Sequence, residues 1–182
     1  MDLKLTDEQL LELLHLDKES GFRTLMHQFQ EQTYWHIRRM VTTHEDADDV
    51  VQNTFIKVYK NIEKFEGNSK LYTWIYRIAT NESLTFLKNR KKRQSESIDN
   101  SETNIENNLI ADSYFDGNHI QLMLQKAIYQ LPEKQKAVFN LRYYEEMPYS
   151  DMSEVLQTSV GALKASYHHA VKKIEEYIKN GK

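Results

Sequence analysis

The chain contains no cysteine among its 182 residues. Disulfides and thiolate metal sites are therefore excluded, and a reducing compartment, the cytoplasm, is the expected setting. Proline occurs only twice and glycine five times. So few chain breakers favour helices over strands and tight turns. No apolar run approaches the roughly 20 residues that cross a bilayer as a helix, and Met1-Asp2-Leu3-Lys4 does not open a secretion signal. A large charge of one sign is also missing, since the formal net charge is -3.

That small net charge hides a division. Residues 1–93 carry 15 Lys+Arg against 14 Asp+Glu, and residues 118–182 carry nine against seven. Between them, residues 94–117 carry six acids and no Lys or Arg. This middle stretch is rich in Asn, Ser, Asp and Glu, poor in large apolar residues and without a period, so it reads as a flexible acidic linker. The overall acidity therefore says little about partners, because two near-neutral blocks flank an acidic spacer.

The flanking blocks are periodic. Thr6 to Gln9 reads as a capping box that opens a first helix with Leu10, Leu11, Leu13 and Leu14. A second helix is predicted over 19–41, with Phe22, Leu25, Phe29 and Ile37 inward and Trp35 and Met40 beside them. A third is predicted over 45–65, because Val51, Phe55, Val58, Ile62 and Phe65 recur at spacings of four and three. Asp46, Asp48, Asp49, Gln52 and Asn53 face elsewhere on its first turns, where acids complement the helix dipole. By residues alone that cluster reads as a capped, solvated helix start. After the polar loop 66–70 a fourth helix is predicted over 71–90, with Leu71, Trp74, Ile75 and Ile78 as its packing stripe. It ends in Lys88-Asn89-Arg90-Lys91-Lys92-Arg93, five cations in six residues. That exceeds what a helix C-terminus needs and suggests phosphate contact.

Helices resume near Asn118, with Ile120, Leu124, Ile128 and Leu131 in register. Pro132 opens a helix to about Tyr144. Tyr149, Met152, Val155 and Leu156 then form the inner face of a short helix, and Gln157-Thr158-Ser159 is the turn. Val160, Leu163, Tyr167, Ala170, Val171 and Ile174 line a longer helix. This order is the plan of a helix-turn-helix, which offers one helix to the DNA major groove. Its outward residues are Ser159, Ala162, Lys164, Ala165, Ser166, His168 and His169, with Lys172 further along. Small residues allow close approach, and Lys164 can reach guanine acceptors or phosphate. The alternative is a plain helical hairpin with solvated lysines. Zinc at His168-His169 is not expected, because adjacent helical residues diverge.

At this point the whole chain resembles a bacterial extracytoplasmic-function (ECF) sigma factor of the sigma-70 superfamily. Asp46-Ala47-Asp48-Asp49-Val50-Val51-Gln52-Asn53-Thr54-Phe55 is similar to the region 2.2 signature DAEDLVQETF. Thr73-Trp74-Ile75-Tyr76-Arg77-Ile78-Ala79-Thr80-Asn81 is similar to TWLYRIARN of regions 2.3 and 2.4. Leu131-Pro132-Glu133-Lys134-Gln135 and Phe139-Asn140-Leu141-Arg142-Tyr143 resemble the start of region 4, and Gly161-Ala162-Leu163-Lys164 resembles the GTVK of its recognition helix. These motifs stand in the family order over nearly the full length, without regions 1.1 and 3.

The resemblance implies an all-α fold of two small helical domains. These are a region 2 bundle over 1–93 and a region 4 helix-turn-helix over 118–182, joined by the linker 94–117. It implies a transcription initiation factor that binds core RNA polymerase, recognises −10 and −35 elements and promotes melting, with no catalysis and no cofactor. Asp46, Asp48, Asp49, Gln52, Asn53 and Phe55 become core-binding residues facing the beta-prime clamp helices, with Phe55 packing, and region 4 meets the beta flap. Asn68, Ser69, Lys70, Thr73, Trp74, Tyr76, Arg77 and Asn81 become readers of the −10 element. An aromatic and polar platform can hold an extruded base while Lys70 and Arg77 hold phosphates. Trp74, on the packing stripe, reads more readily as core. Lys88, Arg90, Lys91, Lys92 and Arg93 would grip the adjacent duplex. Ser159, Ala162, Lys164, Ala165, His168, His169 and Lys172 would meet the −35 element. An anti-sigma partner is expected, and no small-molecule substrate.

Departures from the family pattern are Ser166 and Val171 where arginines are common, His169 in place of an arginine, Gln157 for the turn glycine, Ser153 for alanine and Thr85 for aspartate. The competing readings are a stand-alone helix-turn-helix regulator with an N-terminal helical sensor or dimerisation domain, and a nucleic-acid enzyme. The latter is disfavoured because Asp46, Asp48 and Asp49 sit on one helix turn and point apart.

Overall fold

The computed structural model describes residues 4–41, 43–96 and 119–180, and every regular element among them is helical. In chain order they are α1 (Asp7–Leu16), α2 (Lys18–Met40), α3 (His44–Asn61), a 3-10 turn (Ile62–Lys64), α4 (Leu71–Glu96), α5 (His119–Tyr129), α6 (Glu133–Tyr143), α7 (Tyr149–Leu156) and α8 (Val160–Lys179). The predicted elements stand where the apolar periods put them. α4 runs six residues past the expected Arg90, to Glu96. The rest of the expected linker lies outside the described residues. No helix among the described residues is long and apolar enough to cross a membrane.

Caps decide where the first helices begin. Thr6 Oγ1 accepts from the Gln9 N–H at 3.3 Å, and Gln9 Oε1 accepts from the Thr6 N–H at 3.0 Å. This is the capping box the sequence announces. Asp17 ends α1 and starts α2, accepting from the N–H groups of Glu19 and Ser20 at 3.0 and 3.2 Å. Its hydrogen bonds from Ser20 hold the carboxyl below its usual range. Thr43 caps α3 through the Asp46 N–H. α4 is capped from afar: the Leu71 N–H donates to the Asp7 carboxylate at 2.7 Å, which ties the start of α4 to the start of α1.

α1 crosses α2 closely enough that a Cβ on Gly21 would stand 2.6 Å from Leu14 Cα, so only glycine fits there. The N-terminal core then gathers Leu10, Leu25, Ile37, Met40, Val58, Leu71 and Ile75, all fully buried. Each large aliphatic removed from water contributes about 1.5–3 kcal/mol. A smaller core joins α5, α6 and α8 through Ile128, Leu131, Phe139, Ala170 and Ile174.

A third cluster lies between the halves. Tyr76 of α4 packs with Val138, Leu141, Met147, Met152, Val155 and Leu163 of the C-terminal half. Ala137 and Leu156 reach the other way, into the N-terminal core. Polar contacts rim this seam. Glu145 accepts from Arg39 at 2.7 Å and from the Tyr76 hydroxyl at 2.8 Å. Asn140, fully buried, donates to the Arg39 carbonyl at 3.2 Å. Asp151 pairs with Lys70 at 3.1 Å and accepts from Tyr72. The two helical units are thus packed into one body.

Candidate functional site

Three surfaces carry the residues singled out by sequence. The first surrounds a pocket of about 340 Å³ at the start of α4. Gly67, at φ +72, turns the preceding loop so that Asn68 and Ser69 face this pocket, together with Thr73, Trp74 and Arg77. Trp74 is mostly buried and its ring packs on Phe65 at 5.3 Å between centroids. It is therefore both core and pocket wall. Asn81 lies exposed one turn beyond Arg77. The pocket combines an indole wall, the Ser69 hydroxyl, the Asn68 amide and the Arg77 guanidinium with the carboxylates of Glu66 and Glu154, and so offers stacking, hydrogen bonding and ionic contact together.

The far wall of that pocket belongs to the C-terminal half, as Glu154 and Gln157. Gln157 occupies a left-handed turn at φ 49, ψ 49, where glycine is the usual residue. Lys70 is held by Asp151, which raises the lysine's pKa and, through Tyr72 and Lys70, keeps the aspartate below its usual range against the opposing effect of burial. Tyr76, expected among the −10 readers, is covered in this arrangement. It is 2 % exposed and lies in the seam, and burial, then Glu145, push its phenol upward. Burial likewise raises Glu145. Lys64, Phe65 and Glu66, which also line this pocket, were not anticipated from the sequence. Their nearness in sequence to the aromatic motif is the signal that could have flagged them.

The second surface is a groove of about 580 Å³ between α2 and α3. Asp48, Asp49 and Gln52 stand on its edge, above Phe22, Met26 and Phe55. Phe55 is buried, as packing demands. Asn53 is exposed on α3 without lining the groove. Asp46 turns away and binds Arg90 at 2.7 Å, so α3 and α4 use it as an internal tie rather than as groove edge. Ile56 and Tyr59 were not anticipated. They are 44 % and 37 % exposed and give the groove an apolar lip. Such apolar residues on a solvated face suit a protein partner.

The third surface is the helix-turn-helix of α7 and α8. Leu163, Ala170 and Ile174 face inward, while Ala162, Lys164, Ala165, His168, His169 and Lys172 are exposed. Ser159 caps α8 through the Ala162 N–H, so its side chain is committed locally. Lys164 lies 5.8 Å from the Tyr149 ring centroid, and Lys172 stands 4.0 Å from Glu176. The basic end of α4 divides. Arg90 is turned to Asp46, whereas Lys88, Lys91 and Lys92 line a cleft facing the C-terminal half.

Comparison with known proteins gives the family. The family described as sigma-70 region 2 matches residues 25–93, and the one described as sigma-70 region 4 matches residues 121–174. An ECF RNA polymerase sigma-E factor of Haemophilus influenzae is 30% identical over 96% of each chain. An RNA polymerase sigma-H factor of Pseudomonas aeruginosa is 29% identical over 93% of this chain and 92% of its own. The ECF RNA polymerase sigma factor SigW of Bacillus subtilis is 27% identical over 89% and 91%. Among solved structures, CnrH in complex with the cytosolic domain of CnrY superposes with a TM-score of 0.71 at 17% identity, covering 97% of this chain and 99% of that one. The sigma factor RpoE of Bartonella quintana, in complex with the anti-sigma factor NepR, gives 0.69 at 19%, covering 87% and 96%. These two share the fold.

Proposed function

The chain belongs to the ECF group of the sigma-70 family, the transcription initiation factors that direct core RNA polymerase to promoters, and from that premise we propose how its own residues divide the work. The N-terminal unit, residues 1–93, docks on core polymerase through the α2–α3 groove, with Asp48, Asp49, Gln52, Ile56 and Tyr59 as contacts. The same unit captures an unpaired base of the −10 element in the pocket of Asn68, Ser69, Thr73, Trp74 and Arg77. The C-terminal unit, residues 118–182, sets Ala162, Lys164, Ala165, His168 and His169 against the −35 element.

The observation that carries this reading is the convergence of Asn68, Ser69, Thr73 and Arg77 on one pocket beside the Trp74 indole wall. A base pulled from a duplex costs a few kcal/mol of stacking and pairing, and an aromatic surface with adjacent cations offsets it. Two modest contacts joined by a tether then act together. The work is done in the cytoplasm, beside the polymerase, and without a catalytic step of this chain.

In the arrangement described, Glu154 and Gln157 close the pocket and Asp151 occupies Lys70. Promoter reading therefore requires the two units to separate, and core binding supplies the free energy for it. A protein partner that favours the packed state would act as an anti-sigma factor, as NepR is described for the Bartonella neighbour.

Permanganate footprinting of a promoter bound by the holoenzyme tests the pocket. Arg77→Ala and Thr73→Val should leave polymerase bound but the −10 thymines unreactive. Undiminished reactivity in both variants sinks this assignment.

A further inference from the structure

Where the end of α4 passes the junction of α5 and α6, the seam opens into a cleft of about 910 Å³. Lys88, Lys91 and Lys92 line it from the N-terminal half, and Lys134 and Lys136 from the C-terminal half, with Tyr129 as an aromatic wall. One acid, Glu133, shares the lining. Its volume is within the ~300–1,000 Å³ of small-molecule sites.

Lys136 marks this cleft as more than a solvated basic patch. The residue is 4 % exposed. Its Nζ lies 4.1 Å from the Tyr129 ring centroid and makes no hydrogen bond or ion pair with the described residues. Burial, only partly opposed by Glu133, brings its pKa down to about 8. A buried cation normally has an anionic partner, because leaving it alone costs several kcal/mol. Here the ring face is its compensation, and the rest of the lining holds four lysines against one carboxylate, Glu133. Lysine suits phosphate oxygens as a compact point charge with three donors.

We propose that this cleft binds an oligophosphate anion, a chain of adjacent phosphate groups, and that the bound anion clasps the two halves together. Lys136 holds one phosphate at the base of the cleft, Lys134 lies beside it, and Lys88 and Lys91 close on the chain from α4. Because the two lysine sets sit on different halves, the anion binds the packed arrangement more tightly than the separated one. By linkage it then favours the state in which the −10 pocket is covered.

The test is equilibrium titration of the full chain with inorganic tripolyphosphate at constant ionic strength. Saturable one-to-one binding is expected. Lys136→Met should weaken it at least tenfold with an unchanged circular dichroism spectrum, and the exposed Lys134→Gln should weaken it at least threefold. Lys179→Gln, at an exposed lysine in the last turn of α8 outside the cleft lining, should bind normally. A nucleoside triphosphate arm separates the sources: tighter binding than tripolyphosphate points to a nucleotide, and equal binding to the inorganic chain. Dye pairs on the two halves should report closer approach when tripolyphosphate is added. The proposal is overturned if binding is not saturable, if both Lys136→Met and Lys134→Gln bind like wild type, if non-promoter duplex DNA competes equally per phosphate, or if the inter-dye distance does not respond.

Discussion

The Tyr76 hydroxyl donates to the Glu145 carboxylate at 2.8 Å, across the seam between the two halves of the chain. Arg39 holds the same carboxylate at 2.7 Å. A residue of the −10 motif is thereby engaged by the unit that would read the −35 element.

Glu145→Ala removes one partner of a half-buried network. Leaving Tyr76 and Arg39 without it costs the packed arrangement about 1–3 kcal/mol, at least a fivefold shift toward separated halves. The absence of native cysteine makes the measurement clean. Dyes on Glu12→Cys and Asn180→Cys, both exposed positions, should show lower energy transfer in the Glu145→Ala background. Unchanged transfer would mean that the seam rests on its apolar cluster alone.

Acid should weaken the N-terminal core through His36. This residue is fully buried, with Nε2 at 2.8 Å from Thr80 Oγ1. Burial, then the charge of Arg39, lowers its pKa from 6.5 to about 3. The unfolded chain therefore binds a proton that the folded chain refuses between those values. Stability is full above pH 6.5 and falls as pH drops toward 3, by up to ~1.4 kcal/mol per pH unit. Urea unfolding at pH 7 and pH 5 checks this, and His36→Gln should flatten the difference.

Ile56→Asp should weaken core polymerase binding by about 1–3 kcal/mol, as expected for a contact at the edge of an apolar interface. The side chain is 44 % exposed, so the thermal midpoint should scarcely move. A competition assay against a labelled sigma factor measures the affinity. Retained affinity would move the docking surface elsewhere.

Lys164→Ala should reduce protection of the −35 element about tenfold and leave core binding intact. Footprinting and the same competition assay separate the two effects. Loss of core binding in this variant would contradict the division of roles.

Much of this was legible in the sequence because it is local. The α3 stripe of Val51, Phe55, Val58 and Ile62 is buried as its period requires, and the Thr6–Gln9 box caps α1. Contacts between distant residues were not legible. Nothing in the period of α4 distinguishes Tyr76 in a seam from Tyr76 on a DNA face. Nor does any local pattern tie Asp46 to Arg90 or Leu71 to Asp7. Glu146, at φ 49, shapes the approach to α7 without glycine to announce it. Lys136 is 4 % exposed on α6, and no local pattern in the sequence separates it from its exposed neighbour Lys134.

The most direct measurement is run-off transcription by sigma-free core polymerase from the native host, using a library of its genomic fragments. The purified protein should start transcripts at a discrete set of promoters sharing −10 and −35 motifs, and Arg77→Ala should abolish them. No discrete starts with any fragment, despite demonstrated core binding, would contradict the proposed function.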